Sequence, residues 1–230
     1  MADIDQIVEL PAGGVQLLGT LVVPPVARGV ALLARVGEAS RIGLGRSVVA
    51  EAAHRARFAT LSLDLLADSE QCGEPGGRDL RFDLVLLAGR VVEATDWLRR
   101  DDRTSGLPIG YAAASTAVAA ALIAAVRRPD DVSAVISLGG RPDLAAPWLA
   151  RVSAPTLLVV GGKDRVVLRF NRLAFEGLTG RRELVVLPGV GHLFEENGAL
   201  EHLANMTAAW LTAYLPSAHP FRAGAYGHPS

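Results

Sequence analysis

The feature that most constrains how this chain can fold is the stretch 107–126, LPIGYAAASTAVAAALIAAV. Its first half, 107–113, reads as a short buried strand. From Thr116 onward it is an unbroken series of Ala, Leu, Ile and Val, long enough for three helical turns and small enough to lie flat against a sheet. Ser115 stands at the joint. A serine on a sharp strand-to-helix turn has its hydroxyl pushed out at the carboxyl edge of the sheet, beside the first N–H groups of the helix. The usual form of such a nucleophile elbow is G-x-S-x-G; here the flanking positions are Ala113 and Ala117. The competing reading of the same residue is a serine that caps a buried helix.

Around this stretch, apolar runs and amphipathic segments alternate. Segments 7–10 and 14–23 read as an antiparallel hairpin turning at Pro11-Ala12-Gly13-Gly14, and Pro24-Pro25 ends it. Strands are then expected at 29–34, 58–65, 132–138, 156–160 and 184–187. Helices are expected at 47–55, 82–99, 165–178 and 200–214, with 67–79 as a polar loop and 142–149 as a short helix or loop. In 165–178 the apolar face is read as Val166, Phe170, Leu173 and Ala174. The alternation predicts an α/β fold, with a mainly parallel sheet, helices on both faces and an N-terminal antiparallel hairpin. With 230 residues and 50% hydrophobic content, one domain over 1–215 is expected, followed by a mobile Pro/Gly/Ala/Ser-rich tail over 216–230.

A formal net charge of −1 with no basic stripe argues against nucleic acid and anionic lipid as partners. The acidic start MADIDQIVEL is unlike a signal peptide, and no apolar run reaches the ~20 residues of a membrane span, so a soluble, cytoplasmic protein is expected. Cys72, the single cysteine, excludes an internal disulfide and lies in a Gly/Glu-rich loop. Nucleotide binding is disfavoured: Gly43-Leu44-Gly45 lacks the third glycine of a dinucleotide fingerprint, and Gly162-Lys163-Asp164 lacks the hydroxyl residue that follows the lysine of a phosphate loop.

In a parallel sheet the chemistry sits just past the carboxyl ends of strands. Three polar residues meet that condition: Ser115, Asp164 about 50 residues on, and His192, 28 residues further. Ser, then Asp, then His is the chain order of an α/β-hydrolase triad. Ser115 would be the nucleophile, His192 its general base, and Asp164 the group that fixes the imidazole. The structural alternatives are that Asp164 caps the next helix and that His192 is a loop residue. Arg141, in GGRPD after the strand that follows the elbow, is a candidate for holding an anionic substrate, against the alternative of a surface arginine.

From Ala56 to the last helix the chain resembles the dienelactone-hydrolase-like branch of the α/β-hydrolases, including the form fused behind phosphoribosyltransferase domains. The stretches that carry the resemblance are LSLDLL, LRFDLVLLAGRVVEATDWL, LPIGYAAAST, SLGGRPDLA, APTLLVVGGKD and GVGHLFEE. It implies the α/β-hydrolase fold and hydrolysis of a small ester or lactone through an acyl-enzyme, with no metal or organic cofactor. It also implies an oxyanion site made by the backbone N–H of Thr116 and that of Val36 or Gly37. The chain departs from the family pattern in two places. The nucleophile position holds serine rather than the cysteine of the name-giving enzymes, and Arg35-Val36-Gly37-Glu38-Ala39-Ser40 stands where an HG-type loop is common. The altered loop and the alanines of the elbow leave a second reading open, a hydrolase-fold protein that binds a ligand or partner without turnover. Oligomeric state is not encoded in any feature read here.

Overall fold

The computed structural model describes residues 4–37, 48–71 and 79–215. Residues 38–40 of the altered loop, Gly43-Leu44-Gly45, Cys72 and the 216–230 tail lie outside them. Eight strands form one sheet: β1 (Ile4–Ala12), β2 (Val15–Val23), β3 (Gly29–Arg35), β4 (Phe58–Asp64), β5 (Ile109–Ala114), β6 (Val132–Leu138), β7 (Thr156–Gly161) and β8 (Arg182–Leu187). Their order is β1-β2-β4-β3-β5-β6-β7-β8. The hairpin β1–β2 is antiparallel and joins β4 antiparallel, and every later pairing is parallel.

The described helices are α1 (Val48–Arg55), α2 (Asp68–Gln71), α3 (Leu84–Arg100), α4 (Ala117–Arg127), α5 (Arg165–Gly177) and α6 (Ala199–Tyr214). Residues on α3, α4 and α5 share one core with alternate residues of β1 to β7, whereas α1 and α6 close the other face. Strands buried on both faces read as continuous apolar runs, and β3 (GVALLAR) and β5 (IGYAAA) do so because a helix covers each side. Tyr111, in the middle of β5, is fully buried and shares a 2.5 Å hydrogen bond with the Thr95 hydroxyl of α3, so its one polar atom is satisfied. Burial holds that phenol protonated well above its ordinary range.

The structure corrects the sequence expectation in three local places. The 67–79 loop begins with the single turn of α2, whose Glu70 forms a bidentate pair with the buried Arg90 of α3. The long helix starts at Leu84 rather than 82, because Asp83 caps it through the Leu86 N–H after a 3-10 turn at Leu80–Phe82. On α5 the buried residues are Asn171 and Ala174, while Val166 and Leu173 are exposed at 63% and 52%. The stripe that meets the core is shifted by one residue from the most apolar one.

Candidate active site

Ser115 follows the last residue of β5 and has φ +54°, the left-handed region that a residue with a Cβ enters at a cost of order 1–3 kcal/mol. Its side chain is exposed although every residue from Ile109 to Ala114 is buried. The helix-cap reading does not describe it: the cap of α4 is Thr116, in helical conformation, with no side-chain cap bond. The Ser115 carbonyl accepts the Arg141 N–H at 3.0 Å, so the turn is tied to the loop that leaves β6.

The alanines of the elbow fit. Ala113 and Ala117 are both buried, with Ala113 opposite Ala34 of β3 on one side and Ser137 of β6 on the other. The close approach that the turn demands falls instead on Gly140. A methyl group there would lie 2.2 Å from Cγ2 of Val118 and 2.8 Å from the Ser115 oxygen. Only glycine allows both contacts.

Asp164 lies three residues past β7 and serves two partners with its two oxygens. Oδ1 accepts the Val167 N–H at 3.1 Å and so caps α5; Oδ2 is 2.6 Å from His192 Nδ1. One carboxylate therefore both caps α5 and holds the His192 ring. An ionised carboxylate can only accept, so the imidazole proton belongs on Nδ1, and Nε2 is left as a base. Asp164 is largely buried and His192 more than half exposed, at 14% and 57% of side-chain surface. Their loops touch through backbone: Lys163 N–H donates to Val190 O at 2.9 Å, and a methyl at Gly161 would lie 2.4 Å from Gly191 O.

The turn Gly139-Gly140 lies next to both loops: a methyl at Gly140 would lie 2.8 Å from the Ser115 backbone oxygen and one at Gly139 would lie 3.8 Å from the His192 backbone oxygen. Among the described residues the Ser115 hydroxyl makes no hydrogen bond, so the pair in direct contact is Asp164 and His192. Catalytic contacts of this kind commonly tighten only when substrate is bound.

Of the expected oxyanion donors, Thr116 is buried at the head of α4 and Val36 is buried one residue past β3. The β3–β5 pairing ends with Ala34 opposite Ala113, and Val36 and Ser115 each lie two residues beyond that last pair. Gly37 is used differently: its N–H donates to Asp64 Oδ1 at 3.1 Å, and the same oxygen accepts the Leu66 N–H at 3.0 Å. That leaves Val36 as the second candidate donor. The Arg141 guanidinium is held by both oxygens of Asp143 at 2.8 Å and lies 4.1 Å over the Phe170 ring. Asp143 pushes the Arg141 pKa up and balances its charge, which weakens the case for an anion site there. What Arg141 gives the site directly is its backbone N–H.

Sequence reasoning missed Asp64, Asn171 and Glu196. Asn171 is fully buried and donates to the Gly140 oxygen at 3.1 Å, which fastens the turn beside Ser115 to α5. Its signal was the spacing Val167, Asn171, Ala174, Leu178, a helical stripe hidden by the polar residue in it. Among the described residues no group of three His, Cys, Asp or Glu converges as a metal site, and no helix is long and apolar enough to cross a membrane.

No protein-family model matches the chain. In two Mycobacterium tuberculosis strains it is 44% identical over 211 residues to proteins named as phosphoribosyl transferases, covering 92% of this chain and 47% of each relative. The chain thus spans about half the length of the curated relatives it matches. Among solved structures, the dienelactone hydrolase from Anabaena variabilis is 44% identical with a TM-score of 0.87, over 94% of this chain and all of that one (100%). Est1E from Butyrivibrio proteoclasticus, at 15% identity and a TM-score of 0.72 over 90% of this chain and 98% of its own, shares the fold. With an elbow serine after β5, an Asp–His pair after β7 and β8, and this kinship over nearly its whole length, the chain belongs to the dienelactone hydrolase family of the α/β-hydrolase superfamily.

Proposed function

We propose that the protein is a serine hydrolase that cleaves a small carboxylic ester or lactone through an acyl-enzyme. The observation that carries the reading is the joint placement of Ser115 on a left-handed turn at the sheet edge and of a His192 imidazole whose Nδ1 is held 2.6 Å from Asp164. Ser115 Oγ attacks the carbonyl carbon as its proton passes to His192 Nε2, and Asp164 stabilises the imidazolium. The Thr116 and Val36 N–H groups receive the developing oxyanion. Collapse breaks the acyl–oxygen bond, and the leaving alkoxide takes the proton from Nε2. A water molecule then repeats the sequence on the acyl-enzyme, which releases the acid and restores Ser115. For a lactone, alcohol and acid leave as one molecule.

The test is intact-mass analysis after exposure to a fluorophosphonate, on wild type and on Ser115→Ala, followed by turnover of short-chain and cyclic esters. One adduct on wild type and none on the variant is expected. The Gly37 N–H, already donated to Asp64, favours a second reading, ligand binding without turnover, because it removes one candidate oxyanion donor. Folded wild-type protein that gives no adduct would select that reading. The transferase name of the mycobacterial relatives is not carried over, because this chain matches less than half of each (47%).

A further inference from the structure

Nothing in the chemistry above uses Glu196, yet its carboxylate touches both arms of the Asp–His pair. Oε1 and Oε2 accept the Gly191 N–H at 3.0 and 3.1 Å, and Oε1 lies 3.3 Å from Lys163 Nζ. Gly191 is the residue before His192, and Lys163 the residue before Asp164. The Gly191 N–H is also the main reason the carboxyl is held below its ordinary range, ahead of the Glu196 backbone N–H and the lysine.

The loop that carries His192 is pinned on its other side by Phe194. That side chain is 1% exposed at φ +53°, and a methyl at Gly139 would lie 2.7 Å from its ring. Downstream, the Glu196 backbone carbonyl accepts the Ala199 N–H at 2.9 Å, at the start of α6. Between the buried ring and the helix, the carboxylate closes the loop back on the peptide N–H that precedes the imidazole. Among the described residues the more than half exposed His192 ring makes one hydrogen bond, to Asp164, so its direction otherwise depends on how the loop backbone is held.

We infer that Glu196 is a positioning residue, which clamps the Gly191 N–H and thereby fixes the direction in which His192 presents Nε2 to Ser115. The inference rests on the serine-hydrolase reading for its effect on rate, but not for its effect on the geometry of the pair. A misplacement of about 1 Å in a catalytic group can cost about 100-fold. The clamp works through an acceptor oxygen rather than through net charge, because the shortest contacts of the carboxylate are to a neutral N–H.

The test uses the full chain with three substitutions, Glu196→Ala, Glu196→Gln and Lys163→Met, and two readouts. The first is hydrolysis of p-nitrophenyl acetate. Glu196→Ala is expected to lower kcat about 10- to 100-fold with KM within about twofold of wild type. Glu196→Gln, whose amide oxygen still accepts the Gly191 N–H, and Lys163→Met are expected to stay within about threefold of wild type. The second readout is the low-field proton resonance of His192 Nδ1–H, which reports the contact with Asp164 whether or not an ester turns over. It is expected to persist in Glu196→Gln and to broaden or vanish in Glu196→Ala. An unchanged resonance in a folded Glu196→Ala protein overturns the inference, as does a kcat that falls equally in the Ala and Gln variants. If wild type turns over no ester, the hydrolase reading fails and the resonance alone decides on Glu196.

Discussion

Helices α4 and α5 both begin where a site residue leaves the sheet, and they are held there by opposite means. In α4 the nine residues Ala117, Val118, Ala119, Ala120, Ala121, Leu122, Ile123, Ala124 and Ala125 are all buried, and no side-chain hydrogen bond caps its start. In α5 only Asn171 and Ala174 of thirteen residues are buried, and the helix is fastened by the Asp164 cap and by the Asn171 bond to Gly140. The Ser115 side of the site is therefore set by volume and the Asp164–His192 side by polar contacts. Changes of side-chain size should act on the first, and changes of charge or hydrogen bonding on the second.

On the proposed mechanism the largest expected effect is common to both sides, because the members of a triad act as a unit. Ser115→Ala and His192→Ala should each lower ester turnover by about 10⁴-fold or more, measured as kcat against matched wild type. A loss on Ser115→Ala alone would separate the two sides and undo the unit. Next comes volume. Gly140→Ala puts a methyl 2.2 Å from Val118 and 2.8 Å from the Ser115 oxygen, and should cost about 1–3 kcal/mol in urea unfolding while slowing fluorophosphonate labelling.

The hydrogen-bond side should give a smaller change. Asn171→Leu removes the donor to Gly140 O but also a buried Oδ1 that has no partner among the described residues, so a net loss of about 1 kcal/mol is expected. The smallest effect is the response of stability to acid. Arg90 holds the Glu70 carboxyl below its ordinary value of 4.5, so the pair contributes fully above that pH. Its contribution is lost as pH falls through the lower folded value. Urea midpoints measured from pH 6 down to pH 3 should fall less steeply in Glu70→Gln than in wild type. Ala121→Gly, a volume change within α4, should shift the whole curve down without altering its slope.

The contrast between the two helices also explains what the sequence disclosed. Strand and helix order, the sharp turn at Ser115 and the meeting of Asp164 with His192 were legible, because each depends on a residue type at a strand end. The face of α5 was not. Hydropathy favours Val166, Phe170 and Leu173, but the helix is rotated so that Asn171 reaches Gly140, a partner 31 residues away. Gly140 itself carries the close approach that the A-x-S-x-A motif displaces, and nothing local to the motif points to it. Arg141 read as a free cation because Asp143, two residues on, declares itself as a partner only once the 3-10 turn from Pro142 forms. The engagement of Gly37 with Asp64, 27 residues away, was equally invisible along the chain.

The sheet order has a consequence in time. Ser115 follows β5 and His192 follows β8, so 77 positions along the chain separate the two residues. At a synthesis rate of about 5–20 residues per second, the serine is made roughly 4–15 s before the histidine. Asp164 follows Ser115 by 49 residues and precedes His192 by 28, so Ser115 first lacks both partners and then lacks the histidine alone. On the proposed mechanism the nascent chain stays chemically silent until β7 and β8 join the sheet and the loop that contains His192 closes on Gly161.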